Sequence, residues 1–313
     1  MRLPNIRENP TPWVVGGAIA VMIVGTACAS MQQPSESSTR PAASAAPDSA
    51  TLVTTSSSTT TAATATPVPA AAVETTVPAV TPTPQQEALF ATVAAALPSA
   101  NAGDTAPSSG EYGGKANVQG YLQVVIKSAN TTWDRFFNGH GLGWRGVTYD
   151  VTAGSDVYNS KCTAGVRPNH PRTVFCTADN KPDGAFALPE QTIRGLWSAP
   201  KADADLAAAM VASGEVGHLA VSSLRRQLNL PAISNPQRQL MATCLSGAWA
   251  HTAYPSGSLP TSQIRTALQA ASKIGDEVDG AAVARIAGDE GLAAWRLGYI
   301  TGNPGRCGQA YWR

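Results

Sequence analysis

Between residue 29 and about residue 108 this chain is almost entirely Ser, Thr, Pro and Ala, with few charges and a single aromatic, Phe90. Such a stretch cannot bury enough apolar surface to offset the entropy lost on ordering it. A folded body therefore has to come from Gly110–Arg313. That part holds every tryptophan except Trp13 and four of the five cysteines. Residues 29–109 read as a disordered, stalk-like linker open to O-glycosylation. At about 3.1 Å per residue in a polyproline II form, it would hold the body well away from its anchor. Within it, the stretch 86–97 (QEALFATVAAAL) has a transient helical pattern to which no function attaches.

Residues 1–28 read as a signal or anchor segment. Arg2 and Arg7 precede an uncharged run from Trp13 to Ala27. That run suits the core of a signal peptide or a signal anchor, with the rest of the chain facing outward. Cys28 follows Gly25-Thr26-Ala27, which resembles a bacterial lipobox, although Gly25 stands where an aliphatic residue is usual. A lipoprotein lipidated at Cys28 and an uncleaved anchor both remain open. Either places the body at the outer face of a cell membrane, in periplasm or cell wall. The formal net charge of +1 gives no footprint for nucleic acid.

The body reads as α+β with helices dominating its C-terminal half. Residues 119–137 carry apolar residues at helical spacing, with Asn130-Thr131-Thr132 as a cap for a second piece starting near Trp133. Three short strands follow, in GVTYDVTAG, RTVFCTA and GAFALPE. Beyond Pro200 the pattern is helical: a long Ala-rich helix capped by Asp203 or Asp205, a second with Pro236 near its start, a third over SQIRTALQAASKIGDE and a last near GAAVARIAGDEGLAAWRLGYITG. Gly214 and Gly217 each cost the long helix about 1 kcal/mol relative to Ala, which implies close packing there. Asp276, Glu277 and Asp279 read as a solvated helix end rather than a calcium site. The large tryptophans read as core or groove wall, with an exposed subset able to take peptide or glycan. Four cysteines beyond an export signal imply two disulfides. Of three possible pairings, Cys162–Cys176 and Cys244–Cys307 are preferred; a cysteine zinc site lacks any C-x-x-C pair.

Chemistry concentrates in Gly214-Glu215-Val216-Gly217-His218. A helix reading His-Glu-x-x-His sets two imidazoles one turn apart for a zinc ion, with the Glu as base on the bound water. Here Glu215 and His218 hold the spacing, but Gly214 stands where the first imidazole belongs. No Gly-x-Ser-x-Gly elbow is present, and Gly139–Gly143 lacks the lysine of a phosphate loop.

In order along the chain stand Trp133 and Phe137, Tyr149, Cys162-x-x-Gly165, Phe175-Cys176 with Asp179, the Val-Ala-x-x-Glu-Val-Gly-His helix, Ala242-x-Cys244-Leu-x-Gly247-x-Trp249-Ala-His251, Ile274-Gly275-Asp276 and Trp295-x-x-Gly298-x-x-x-Gly302-x-Pro304-x-x-Cys307. This ordered set resembles the bacterial neutral zinc metallopeptidase family, whose members are membrane-tethered and zincin-like. The resemblance implies a zincin-like fold, a first zinc ligand at Gly214, a catalytic base at Glu215 and a second ligand at His218. Its third ligand, a Glu, falls on Gln239, and the Asp beside the cysteine falls on Thr243. Two of three ligands are thus lost, leaving Glu215 as a vestigial base and His218 as a vestigial ligand. His251 lies on the same helix as Gln239 but about 18 Å further along and cannot replace it. The expectation is a catalytically inactive pseudo-peptidase without a cofactor, binding an envelope protein, peptide or glycan. The alternative is an active zinc peptidase with a non-standard metal site.

Overall fold

The computed structural model describes residues 76, 78, 81–101, 106–160, 165–177, 183–198 and 203–313. The expected anchor segment 1–28 with Cys28, as well as Cys162 and Asp179, lies outside them. Helix α1 (Pro84–Phe90) leads, followed by α2 (Val118–Gly139), strands β1 (Tyr149–Thr152), β2 (Arg172–Cys176) and β3 (Ala185–Pro189), and the short helix α3 (Glu190–Arg194). Helices α4 (Ala204–Gln227), α5 (Asn235–Ala253) and α6 (Thr261–Ala271) come next, then the hairpin β4 (Gly275–Val278) and β5 (Ala281–Val283), and helices α7 (Gly288–Thr301) and α8 (Pro304–Tyr311).

The expected α+β class holds, with a mixed five-stranded sheet in the order β1-β3-β2-β4-β5. Strand β2 runs antiparallel to β3 and parallel to β4. Helix α4 is the central element, with every residue from Leu206 to Val221 buried. It packs on α2, α5 and α6 and against β2 and β3. Its small residues permit this. A Cβ at Gly217 would stand 2.7 Å from the Ala242 carbonyl oxygen of α5. Helices α5 and α7 approach just as closely, since a Cβ at Gly298 would lie 1.9 Å from the Cys244 carbonyl oxygen. Trp133, Trp249, Trp295 and Trp312 are core residues, while Trp144 and Trp197 are half-buried at its margin.

Four expectations change. The folded body begins before residue 110, because α1 is capped by a reciprocal Thr83–Gln86 box and buries Phe90 against Trp312, ring centroids 5.9 Å apart. Val93 and Leu97 continue that burial, so residues 84–97 are structure and not linker. Helix α2 is unbroken at Asn130, whose side chain accepts from Trp144 Nε1 at 2.8 Å rather than capping a second piece. The sheet is not confined to the N-terminal part, since Gly275–Val283 forms the hairpin that completes it. Asp203 occupies the N-cap of α4 without a side-chain cap bond, and Asp205 instead accepts from Ser109 N and Trp197 Nε1. The Cys244–Cys307 disulfide joins α5 to α8. Cys176 ends β2 disulfide-bonded, and Cys162, the expected partner, lies outside the described residues.

Candidate functional site

Glu215 and His218 are three positions apart, so α4 presents both on one face, and both are buried. That face meets the sheet. The parallel register of β2 and β4 sets Thr173 opposite Asp276, and both side chains point into the core. The single hydroxyl proton of Thr173 is shared between two carboxylates, 2.8 Å from Glu215 Oε1 and 3.1 Å from Asp276 Oδ1. Asp276 Oδ2 lies 3.3 Å from His218 Nε2 and accepts from Gln239 Nε2 on α5. The ring of Phe175, 5.3 Å from the imidazole, closes one side. Glu215, His218 and Gln239 therefore converge on the Thr173–Asp276 pair. Asp276 belongs with them, buried on a strand rather than at a solvated helix end.

At the centre stands Arg285, from the segment after β5. Its Nη2 donates to Glu215 Oε1 and to Thr173 Oγ1, and it lies 3.9 Å from Asp276 Oδ1. Gly214 gives it room. A Cβ at Gly214 would already be 3.2 Å from Arg285 Nη1, so any side chain there competes with the guanidinium for the same space. The glycine at the expected first-ligand position and the arginine from a distant segment thus form one arrangement.

The charges follow from burial and this cation. Burial raises the Glu215 carboxyl above the ordinary range, the nearby Asp276 raises it further, and Arg285, His218 and the Thr173 hydroxyl only partly reverse this. Burial also pushes Asp276 upward, but Arg285, His218 and the Gln239 amide overcome it and hold the group well below the usual carboxylate range. Asp276 is thus the ionised partner of Arg285, and Glu215 keeps its proton to higher pH than a free Glu.

A catalytic zinc ion needs three protein ligands and an open position. Here one imidazole and one carboxylate already face each other, Gln239 presents a donor, and a permanent cation is bonded to the base. Among the described residues no group of three or more His, Cys, Asp and Glu side chains is placed to hold a metal. Glu215 Oε2, His218 Nδ1 and Arg285 Nε are buried without partners. The adjoining cavity, lined by Gly214, His218, Gln239 and Thr243 among others, measures about 30 Å³, room for roughly one water. These residues do not fit zinc, and no step through a metal can be drawn. The remaining histidines bond elsewhere: His140 with the Phe136 carbonyl, His170 with the Arg172 carbonyl, His251 with Tyr299 and Ser99.

Residue-by-residue reading missed Thr173, Asp276 and Arg285. Gly275-Asp276-Glu277-Val278 has no apolar–polar alternation to mark Asp276, whose burial is visible only in the folded strand. Arg285 stands alone among Ala, Val and Ile, a placement that makes it the one charge of that segment.

Residues 90–287 match the family described as "putative neutral zinc metallopeptidase". The uncharacterized protein YpfJ of Escherichia coli strain K12 is 24% identical over 207 residues, covering 60% of this chain and 69% of the relative. YpfJ of strain CFT073 matches to the same extent. No solved structure matches.

Proposed function

Because the chain belongs to the neutral zinc metallopeptidase family, and because a guanidinium is bonded to its general base, we propose that it is a non-catalytic member of that family. The Arg285–Glu215 pair carries this reading. A peptidase of this kind needs an activated water between metal and Glu. Glu215 Oε1 is instead engaged by Arg285 and Thr173. The roughly 30 Å³ cavity beside it holds no peptide. The Glu215–His218 helix lying against a mixed sheet supports a zincin-like scaffold kept without its metal.

The setting we propose is the outer face of a cell membrane. The segment 1–28 anchors the protein, by lipid at Cys28 or as an uncleaved helix, and the body binds an envelope protein, peptide or glycan. The Cys244–Cys307 disulfide supports an oxidising compartment. No helix among the described residues is long and apolar enough to cross a membrane. The proposed anchor lies outside them.

Elemental analysis of the full chain, purified without chelator or histidine tag, is expected to find zinc well below one ion per chain. A peptide library is expected to be cleaved no faster by this protein than by its Glu215→Gln variant. Stoichiometric zinc together with cleavage lost in Glu215→Gln would overturn the proposal.

A further inference from the structure

A second cavity lies away from Glu215 and shares no lining residue with the one beside it. It measures about 710 Å³, within the range of small-molecule sites, and is lined by the segment 96–101, α2 and Thr252. At its edge the exposed Ser99 places Oγ 2.7 Å from His251 Nε2. The Nδ1 of His251 lies 2.7 Å from the Tyr299 carbonyl oxygen. A carbonyl only accepts, so in the neutral imidazole Nδ1 carries the hydrogen and Nε2 keeps its lone pair toward the serine hydroxyl. Nucleophile, base and an orienting acceptor thus stand in line.

Both partners are held. Leu97 N donates to the Gly302 carbonyl at 2.6 Å, and Ala100 N donates to the His251 carbonyl at 3.0 Å, fixing the backbone on either side of Ser99. Gly302, at φ 56°, lies flat against the imidazole, where a Cβ would come within 2.4 Å of Cδ2. Among the described residues the cavity wall carries Lys127 and Arg135, neither in an ion pair, and no carboxylate.

We propose that Ser99 and His251 form a metal-independent hydrolytic site for acyl esters that bear a negative charge. Ser99 Oγ bonds to the acyl carbon while its proton passes to His251 Nε2. The ester C–O bond breaks, and the leaving alcohol takes that proton. Water then attacks the acyl carbon and gives a proton to Nε2. The Oγ–C bond breaks, Oγ recovers the proton, and the carboxylic acid leaves. Lys127 and Arg135 attract the substrate's anionic group.

The test uses the full chain, a serine-directed fluorophosphonate, and p-nitrophenyl acetate beside p-nitrophenyl succinate, all in the presence of chelator. Peptide mapping is expected to find the phosphonyl adduct on Ser99. Ester hydrolysis is expected to fall about 100-fold in Ser99→Ala. The succinate ester is expected to be preferred, and Lys127→Glu with Arg135→Glu to reverse that preference while the chain still unfolds cooperatively. Because His251 is buried, His251→Gln is compared only if it folds. Equal labelling and hydrolysis by wild type and Ser99→Ala overturn the site and leave Ser99–His251 as a strut for the N-terminal segment. Equal rates on the two esters overturn the charge selection. Zinc analysis is a separate readout, so failure here leaves the reading of Glu215 untouched.

Discussion

Arg285 sets a permanent cation, built into the chain, between Glu215 and Asp276. Its side chain is 11% exposed and faces two carboxylates that are wholly buried. Removing one partner of a buried ion pair typically costs 3–5 kcal/mol, because the charge left behind is uncompensated. Arg285→Met is expected to lower the unfolding free energy by about 3–5 kcal/mol in urea denaturation. Asp276 and Glu215 should also leave opposite marks on the pH dependence. A carboxylate depressed in the fold adds stability that is present above its unfolded value and lost as pH falls through the folded one. Asp276 therefore contributes a loss of stability below about pH 4. Glu215, raised in the fold, does the reverse: stability is gained as pH falls through its folded value toward the unfolded one. In Asp276→Asn the acid-side slope of the urea midpoint is expected to flatten, whatever the absolute stability becomes. An unchanged slope would mean that Asp276 is not the ionised partner. Glu215 and His218 were legible because a motif spacing marks them, and Gln239 because the family resemblance sets a ligand position there. Asp276 and Arg285 were not, because only strand pairing across about 100 residues brings Thr173 to Asp276.

Among the elements, α4 and α5 were read well, whereas α1 and α8 were not, and the helical readings on either side of the last hairpin ran over its strands. Long apolar runs such as α4 and α5 announce themselves by length and small residues. The hairpin β4–β5 is short, holds Asp276, Glu277 and Asp279, and follows directly on a helical pattern, so its charges suggested a solvated helix end. Helix α1 was hidden by composition, although Thr83-Pro84-Gln85-Gln86 spells a capping box and Phe90 supplies the apolar anchor. The close crossing of α5 and α7 depends on glycine at both faces, since a Cβ at Gly247 would stand 2.0 Å from the Trp295 carbonyl oxygen. Gly298→Ala forces a methyl against the Cys244 carbonyl, which no side-chain rotation relieves. It is expected to cost about 1–3 kcal/mol, read as a lower thermal midpoint. Gly139→Ala, with open space around its Cβ, is the matched control.

On the scale of the whole molecule, the described body includes α1 from Pro84 and does not begin at residue 110. Phe90, Val93 and Leu97 are buried in the common core, and Asn303 Nδ2 donates to the Ala94 carbonyl at 2.6 Å. A chain starting at residue 81 is expected to keep the thermal midpoint of the full protein. One starting at residue 110 is expected to lose at least about 3 kcal/mol, the cost of removing one large buried aromatic. Equal stability of the two would show that α1 is dispensable.

The placement of α1 has a mechanical consequence. Phe90 rests on Trp312, and Gln86 Nε2 donates to the Trp312 carbonyl at 3.2 Å. Tension drawn on the chain ahead of residue 81 enters the body beside α8. From there the Cys244–Cys307 bond carries the load straight to α5. The contact between α1 and α8 is noncovalent, whereas α8 behind it is tied covalently to α5. Under load, the small α1 contact would peel first and act as a fuse, while the bridged helices behind it keep their register.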